Sequence, residues 1–165
     1  MRAYFFGNMY LSSIQQGIQA AHVVADMFVK YAYHDKEAEA LRDWASDHKT
    51  MILLNGGYSE TIRELATFFD HPSNPYPWTE FYEGRDALDG AITDVGIILP
   101  EKIYNTAAYL RSLRFSDKEH ALTELMDSGS LVVPAEVTGG EVATWDFNKW
   151  EYNLLQKLNE FGMAK

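Results

Sequence analysis

The chain has 165 residues, of which 47% are hydrophobic and 23% charged, and these proportions suit a folded domain and exclude a disordered chain. It contains no cysteine, which excludes disulfides, thiolate metal sites and cysteine nucleophiles. A formal net charge of −10 argues against tight binding of nucleic acid over a broad basic face. No apolar run approaches the roughly 20 residues of a membrane helix, so we expect a cytoplasmic protein.

The first elements along the chain are predicted to be a strand, a loop and a helix. Residues 3–6 form a short apolar run, and the polar pair Gly7-Asn8 follows it. Ser12 and Ser13, each with a glutamine three residues later, match the capping box that begins a helix. The apolar face of this helix is predicted from the helical spacing of Ile14, Ile18, Ala21, Ala25 and Phe28.

A second strand and helix follow the same plan. Residues 35–47 suit a more polar helix, the apolar run 51–54 suits a buried strand, and Asn55-Gly56-Gly57 ends that strand. Ser59 can cap the next helix, whose apolar face comprises Ile62, Leu65, Ala66 and Phe69. Two strands joined through a helix favour parallel pairing with a right-handed crossover.

The rest of the chain completes a predicted four-stranded sheet. After a proline-rich loop at 71–77, WTEFYE and AITDVGIILP are expected to pair as antiparallel strands. Helices are expected near 101–113 and 116–127, and a last helix from Asp146 with an apolar side; its members are Phe147, Trp150, Leu154, Leu158 and Phe161. We therefore predict an α/β fold: a mixed four-stranded sheet with helices on both faces in residues 1–128, and a C-terminal helical extension, 129–165, packed on the same domain.

A polar stripe on the first helix is the first candidate for a functional site; its members are Gln15, Gln19, His22, Asp26 and Lys30. A histidine with a carboxylate four residues later can act as a base with an orienting partner, or can supply half of a metal site. It can equally be a surface histidine that binds its neighbours. The chain has no HxxxH or HExxH motif, and we predict neither a metal nor a cofactor.

The two strand-ending loops are the second candidate. In open α/β sheets, ligands bind at the carboxyl ends of parallel strands, and here Gly7-Asn8 and Asn55-Gly56-Gly57 lie at those ends. Each loop leads into a helix N-terminus, which favours an anion. The glycines alternatively serve only tight turns, since neither loop matches a nucleotide-binding fingerprint. Further along, Arg111, Arg114 and Lys118 form a cationic group that is either a basic patch or a solvated helix face.

Two stretches resemble the motifs of type II peptidyl-tRNA hydrolases, the archaeal and eukaryotic kind. In LSSIQQGIQAAHVV, which follows FFGN, Gln19 and His22 stand at the glutamine and histidine of the family's first-helix motif. In FYEGRDALDGAITDVGIILP, Glu83 and Thr93 fall near an aspartate and a threonine of its second motif. The resemblance covers about residues 3–113, and a compact cysteine-free chain with a C-terminal addition suits a bacteriophage-encoded member.

The resemblance implies a mixed four-stranded sheet, no metal, frequent dimers and hydrolysis of the ester that joins a peptide to tRNA. It implies catalytic roles for His22, Glu83 and Thr93, and it places Asn8, Gln15 and Gln19 beside them as substrate-binding residues. Further substrate-binding candidates are Asn55, from the loop after the second predicted strand, and Arg85 and Asp94, near the second motif. Ser13 and Gln15 stand where the family has lysines, which leaves open an altered relative that binds a small anionic metabolite, a nucleotide or a protein partner in the same cleft. A pure interaction module is the third alternative.

Overall fold

A computed structural model describes residues 1–162, with the side chain of Asp35 left out. Its contacts group the chain into two compact units, one of Met1–Leu99 with the chain from Phe161, the other of Pro100–Glu160. The fold is α/β, as the sequence predicts. The domain boundary predicted at residue 128 stays a prediction. The two units are defined by contacts between residues, and such a grouping does not test which segments fold as separate domains.

The first unit is built on a mixed four-stranded sheet. Its strands are β1 (Arg2–Gly7), β2 (Met51–Asn55), β3 (Trp78–Tyr82) and β4 (Ile92–Leu99), in the order β2-β1-β4-β3. β1 pairs with β2 in parallel, and β4 lies antiparallel to both β1 and β3. The parallel crossover and the antiparallel pair predicted from the sequence are both confirmed, and β2 and β3 form the two edges.

Helices cover both faces of this sheet. They are α1 (Ser13–Lys30), α2 (Asp35–Asp43), a π-helical turn at Trp44–His48, α3 (Ser59–Phe69) and the short α4 (Arg85–Leu88). α1 begins with a complete capping box between Ser12 and Gln15. Phe5 belongs to the core beneath α1, whereas the ring of Phe6 lies 5.9 Å from that of Phe69 in α3. Successive residues of β1 therefore serve opposite layers, as strand geometry requires.

The buried face of α1 is not the one that the sequence predicts. Ile14, Ile18 and Phe28 are 78%, 49% and 40% exposed, and Ala21 and Ala25 are exposed as well. The buried residues are instead Gln16, Gln19, Ala20, Val23 and Met27. α1 thus carries two apolar stripes, and the one interrupted by glutamines contacts the sheet.

The shape of the sheet explains this choice. A Cβ atom on Gly96 of β4 would lie 2.7 Å from a methyl carbon of Val23 and 2.8 Å from the ring of Phe5. The absence of a side chain at Gly96 therefore leaves the space into which Val23 packs. Close packing of this kind depends on volume, so it selects the stripe that fits over the stripe with the longer apolar side chains.

The second unit contains α5 (Glu101–Ser112), α6 (Phe115–Ser128), β5 (Ser130–Val133), α7 (Ala135–Thr138), β6 (Ala143–Asp146) and α8 (Lys149–Leu158). β5 and β6 pair as an antiparallel hairpin that the sequence reading missed. Glu151 is 3% exposed, and the ammonium nitrogen of Lys102 lies 2.9 Å from its carboxylate, which joins α5 to α8. Arg111 lies on α5 and Lys118 on α6, so the cationic group is not one helix face.

The last predicted helix is confirmed, and it begins at Lys149 with a capping box between Asn148 and Glu151. Trp150, Leu154 and Leu158 are buried as expected. Phe161 lies beyond the end of α8, and its ring contacts that of Phe6 edge-on with centroids 5.0 Å apart. No described helix is long and apolar enough to span a membrane.

Candidate functional site

The residues that the sequence singles out lie at one end of the strands, where the connecting loops begin. This end of the sheet is called the loop edge, in distinction from the edge strands β2 and β3. Because β1 and β2 are parallel while β4 runs against β1 and β3, the carboxyl ends of β1, β2 and β3 lie beside the amino end of β4. α1 and α3 begin from the loops at this edge. On these ends, or within three turns of them, lie Asn8, Gln15, Gln19, His22, Asn55, Glu83, Arg85, Thr93 and Asp94.

The polar stripe of α1 follows the border between its buried and exposed faces. Gln19 is buried, and its amide nitrogen Nε2 donates a hydrogen bond to Oε1 of Glu83, 64 positions along the chain. Gln15 is exposed, and its side-chain oxygen accepts from the backbone N–H of Ser12 at 2.9 Å. Gln15 therefore stabilises the start of α1, whereas Gln19 joins the helix to the loop after β3.

His22 lies on the exposed side of that border, one turn after Gln19. Its imidazole stacks on the ring of Phe81 with centroids 4.6 Å apart and planes 8° from parallel. Phe81 is the last residue of β3 before the pairing with β4 becomes irregular, and Glu83 lies two residues beyond it. His22 and Asp26 form no ion pair among the described residues. The partner that the structure gives to His22 is thus a ring and not the neighbouring carboxylate.

The two strand-ending loops are tied to each other through Asn8. Its Nδ2 donates to the hydroxyl of Ser59 at 3.1 Å and to the carbonyl of Ile92 at 3.5 Å, and its Oδ1 accepts from the N–H of Tyr10 at 3.1 Å. Asn8 is 6% exposed, so it joins β1, α3 and β4 from within. The contact from Met9 N–H to the carbonyl of Gly57, at 2.9 Å, adds a second tie.

The loop after β2 is equally constrained. Oδ1 of Asn55 accepts from the N–H of Gly57 at 2.9 Å, which is an Asx turn. Gly57 has a φ of +75°, in the region that favours glycine, and a Cβ on Gly56 would lie 2.7 Å from the carbonyl oxygen of Phe6. These glycines therefore meet a steric requirement, which is the simpler of the two interpretations of this loop.

Behind this edge lies a buried polar layer. Asp94 is fully buried, and neither of its carboxylate oxygens has a hydrogen bond of good geometry to any described residue. Burial raises the pKa of Asp94 well above 3.8, while the backbone amides of Val95 and Phe6 lower it in part. Thr93 is 1% exposed, and its hydroxyl has no hydrogen-bond partner in residues 1–162. As the neighbour of Asp94 in β4, it faces the opposite layer of the sheet, on the side of α3.

Gln16 lies on the same face of the sheet as Asp94. Asp94 pairs directly with Gly7, and a Cβ on Gly7 would lie 3.3 Å from Oε1 of Gln16. The side-chain oxygens of Gln16 and Gln19 are buried and accept no hydrogen bond from the part of the chain that the structure describes. Because the layer is rich in acceptors and poor in donors, a proton on Asp94 would supply a donor that the layer lacks.

Three exposed residues complete the edge. Arg85 begins α4, two residues after Glu83, and its side chain is exposed. Tyr10 and Tyr58 are 81% and 51% exposed, and their ring centroids lie 5.1 Å apart. The sequence reading missed this pair, although each tyrosine follows one of the two strand-ending loops. No group of three or more histidines and carboxylates that could hold a metal occurs in residues 1–162.

Comparison with models of known protein families finds no match, and no curated protein sequence matches this chain.

Proposed function

We propose that this chain hydrolyses the carboxylic ester between a peptide or aminoacyl group and tRNA. The observation that carries the proposal is the hydrogen bond from Gln19 to Glu83, beside the stacked pair His22–Phe81. This contact joins the two stretches that resemble the motifs of type II peptidyl-tRNA hydrolases, which are far apart in sequence. A carboxylate and an imidazole thus share the loop edge of the sheet, where α/β folds bind their ligands.

The proposed reaction uses Glu83 as the general base. Gln19 occupies Oε1 of Glu83 and orients the carboxylate, which takes a proton from water as the water oxygen attacks the ester carbonyl carbon. When the tetrahedral intermediate collapses, the bond from the carbonyl carbon to the ribose oxygen breaks. That oxygen leaves with the proton that Glu83 took from water, which the imidazole of His22 relays, so that both side chains return to their starting states. The products are a carboxylic acid and tRNA with a free hydroxyl.

The remaining predicted roles are distributed around these two groups. Arg85 is the exposed cation nearest in sequence to Glu83 and is proposed to bind a phosphate of the acceptor end. The catalytic role of Thr93 stays a prediction, and its buried hydroxyl counts against direct contact with the substrate. Asn8 and Asn55 hold their loops in place, and Asp94 supports the layer beneath. A tRNA ester as substrate makes the cytoplasm the proposed location.

The test is release of free tRNA from N-acetyl-aminoacyl-tRNA in a single-turnover assay. Wild type is expected to hydrolyse it, and Glu83→Gln to lower the rate constant by about 100-fold or more, which is the contribution of a general base. Glu64→Gln is the matched control, because Glu64 is an exposed glutamate on α3 of the same unit. A Gln19→Leu and Glu83→Gln cycle is expected to show coupling, since the two side chains share a hydrogen bond.

Two results would contradict this proposal. One is wild-type turnover no faster than the spontaneous rate with enzyme in excess over substrate. The other is a Glu83→Gln variant that retains full activity while Glu64→Gln does the same. Far-ultraviolet circular dichroism of each variant distinguishes loss of the base from loss of the fold.

A second candidate function is binding of a nucleotide without hydrolysis. The exposed pair Tyr10–Tyr58 favours it, because aromatic side chains of this kind stack on nucleobases. A net charge of −10 also disfavours a large polyanion more than a mononucleotide. Adenosine monophosphate is then expected to raise the melting temperature of wild type but not of Tyr10→Ala, with ribose 5-phosphate as the control that lacks a base.

A further inference from the structure

The unpaired side of the edge strand β3 supports an inference that is independent of the proposed ester hydrolysis. Within residues 1–162, β3 pairs with β4 alone, so its other side faces no described strand. The carbonyl of Pro77 accepts from the N–H of Ile98 in β4, and the N–H of Glu83 donates to the carbonyl of Ala91. The N–H and C=O groups of successive residues alternate in direction along an antiparallel strand. The backbone N–H and C=O groups of Trp78, Glu80 and Tyr82 therefore point away from β4.

The outward N–H and C=O groups of Trp78 already have a hydrogen-bond partner, as they would have if another strand lay beside β3. The hydroxyl of Tyr31 donates to the carbonyl of Trp78 at 2.8 Å and accepts from its N–H at 3.1 Å. The ammonium of Lys30 donates to the same carbonyl at 2.9 Å and lies 3.8 Å from the centroid of the Trp78 ring. These contacts end the free edge at Trp78 and leave Glu80 and Tyr82 as its open portion.

A cavity of about 490 Å³ runs along this portion. Lys30 of α1 and Arg63, Ala66 and Thr67 of α3 line it together with residues of β3, among them Glu80 and Tyr82. The volume lies in the range of ligand-binding sites, and a groove lined by an edge strand suits an extended peptide that adds a strand.

The charges of the groove indicate the chemistry of that peptide. Asp70 and Glu80 line the groove together with the cations Lys30 and Arg63. Neither carboxylate forms an ion pair among the described residues, although both act electrostatically on the ammonium of Lys30. The lining charges therefore balance, and the net charge of −10 on the whole chain is what favours a basic side chain on the added strand, next to Glu80.

We propose that the groove along β3 binds an extended peptide segment of a partner protein, which pairs with the outward groups of Glu80 and Tyr82 and places a basic residue beside Glu80. Backbone hydrogen bonds supply the affinity and the charge pair supplies the preference. A second copy of this chain is the less favourable occupant, because strand pairing centred on Glu80 would set two carboxylates opposite each other.

The experiment uses the full chain and two fluorescein-labelled nonapeptides of alternating valine and threonine. One peptide has a central lysine and the other a central glutamate, and fluorescence anisotropy measures the binding of each. We expect the lysine peptide to bind about tenfold more tightly, and Glu80→Lys to reverse the order of the two peptides. Methylation of the peptide backbone nitrogens that face β3 is expected to abolish binding.

A pair of matched variants tests the location. Thr67 and Thr123 are both exposed helix residues whose hydroxyls donate to the carbonyl four residues earlier at 2.9 Å. Thr67→Trp fills the groove and is expected to weaken peptide binding about tenfold or more, whereas Thr123→Trp on α6 leaves it unchanged. Both variants are checked for an unaltered melting temperature. Ester hydrolysis in wild type and Thr67→Trp is measured in parallel, so that loss of one activity is separated from loss of the other.

Three outcomes would overturn the proposal. The first is failure of wild type to bind either peptide at about 1 mM, the weak limit of specific recognition. The second is binding that Thr67→Trp does not affect. The third is a dimer, detected by light scattering, that Thr67→Trp dissociates, because the edge would then belong to a second copy of the chain.

Discussion

The imidazole of His22 lies flat on the ring of Phe81, with centroids 4.6 Å apart and planes 8° from parallel. The contact holds an exposed side chain of α1 against β3, the strand at the edge of the sheet. Stacked rings of this kind contribute about 1 kcal/mol beyond the area they bury. We therefore expect His22→Ala to lower the free energy of unfolding by about 1 kcal/mol, as measured by urea denaturation.

The control for this prediction is His120→Ala, because His120 is an exposed histidine in the middle of α6. Both substitutions replace histidine by alanine within a helix, so the gain in helix propensity is common to them. A double-mutant cycle with Phe81→Leu assigns the difference to the ring pair. Equal effects at His22 and His120 would mean that the stacking contributes nothing to stability.

Asp94 is expected to make stability depend on pH. Because burial raises its pKa in the folded state above 3.8, the folded chain keeps the proton over the interval between the two pKa values, and unfolding releases it. The free energy of unfolding should therefore fall as the pH rises from about 4 to the folded-state pKa, and level off above it. Asp94→Asn mimics the protonated acid and should be more stable than wild type at neutral pH.

The measurement is denaturant unfolding of wild type and Asp94→Asn at a series of pH values. The gap between the two proteins should close near pH 4, where the unfolded chain also begins to hold the proton. Asp86→Asn, at an exposed position of α4, serves as the control. A gap that is constant with pH, or a variant less stable than wild type at every pH, would show that Asp94 is ionised in the folded state.

Two glycines should respond to alanine in opposite directions. A Cβ on Gly96 would lie 2.7 Å from Val23 and 2.8 Å from the ring of Phe5, so Gly96→Ala should lower the free energy of unfolding by about 2 kcal/mol. A Cβ on Gly17, within α1, meets no atom within 4 Å. Gly17→Ala should therefore raise the free energy of unfolding by up to about 1 kcal/mol, which is the difference in helix propensity.

Thermal unfolding of both variants tests this pair. The result matters for the orientation of α1, because the Gly96 contact is what places Val23 against the sheet. Double substitution Val23→Ala with Gly96→Ala should recover part of the loss, since it removes the methyl group that the new Cβ meets. Destabilisation by Gly17→Ala would indicate that the other stripe of α1 faces the sheet.

Much of the secondary structure follows from local patterns. The capping box at Ser12 begins α1, and the run 51–54 forms β2. The alternation in WTEFYE forms β3, and the apolar stretch before Pro100 forms β4. The helical connection between β1 and β2 favoured parallel pairing, which the structure has. These features depend on neighbours within a few residues, which is why the sequence alone indicates them.

The sequence determined where the strands and the three longer helices of the first unit lie, how β1 and β2 pair, and which loops end at one edge of the sheet, whereas the short helix α4 was not predicted. The tertiary structure decided which stripe of α1 is buried, because the space above Gly96 accommodates Val23. That rotation of the helix buries Gln19 against Glu83 and leaves Ile14 in solvent. The buried stripe contains two glutamines and is the less apolar of the two. Hydrophobicity alone would therefore have turned the helix the other way, and the fit of side-chain volumes between layers, which no local pattern encodes, sets the orientation.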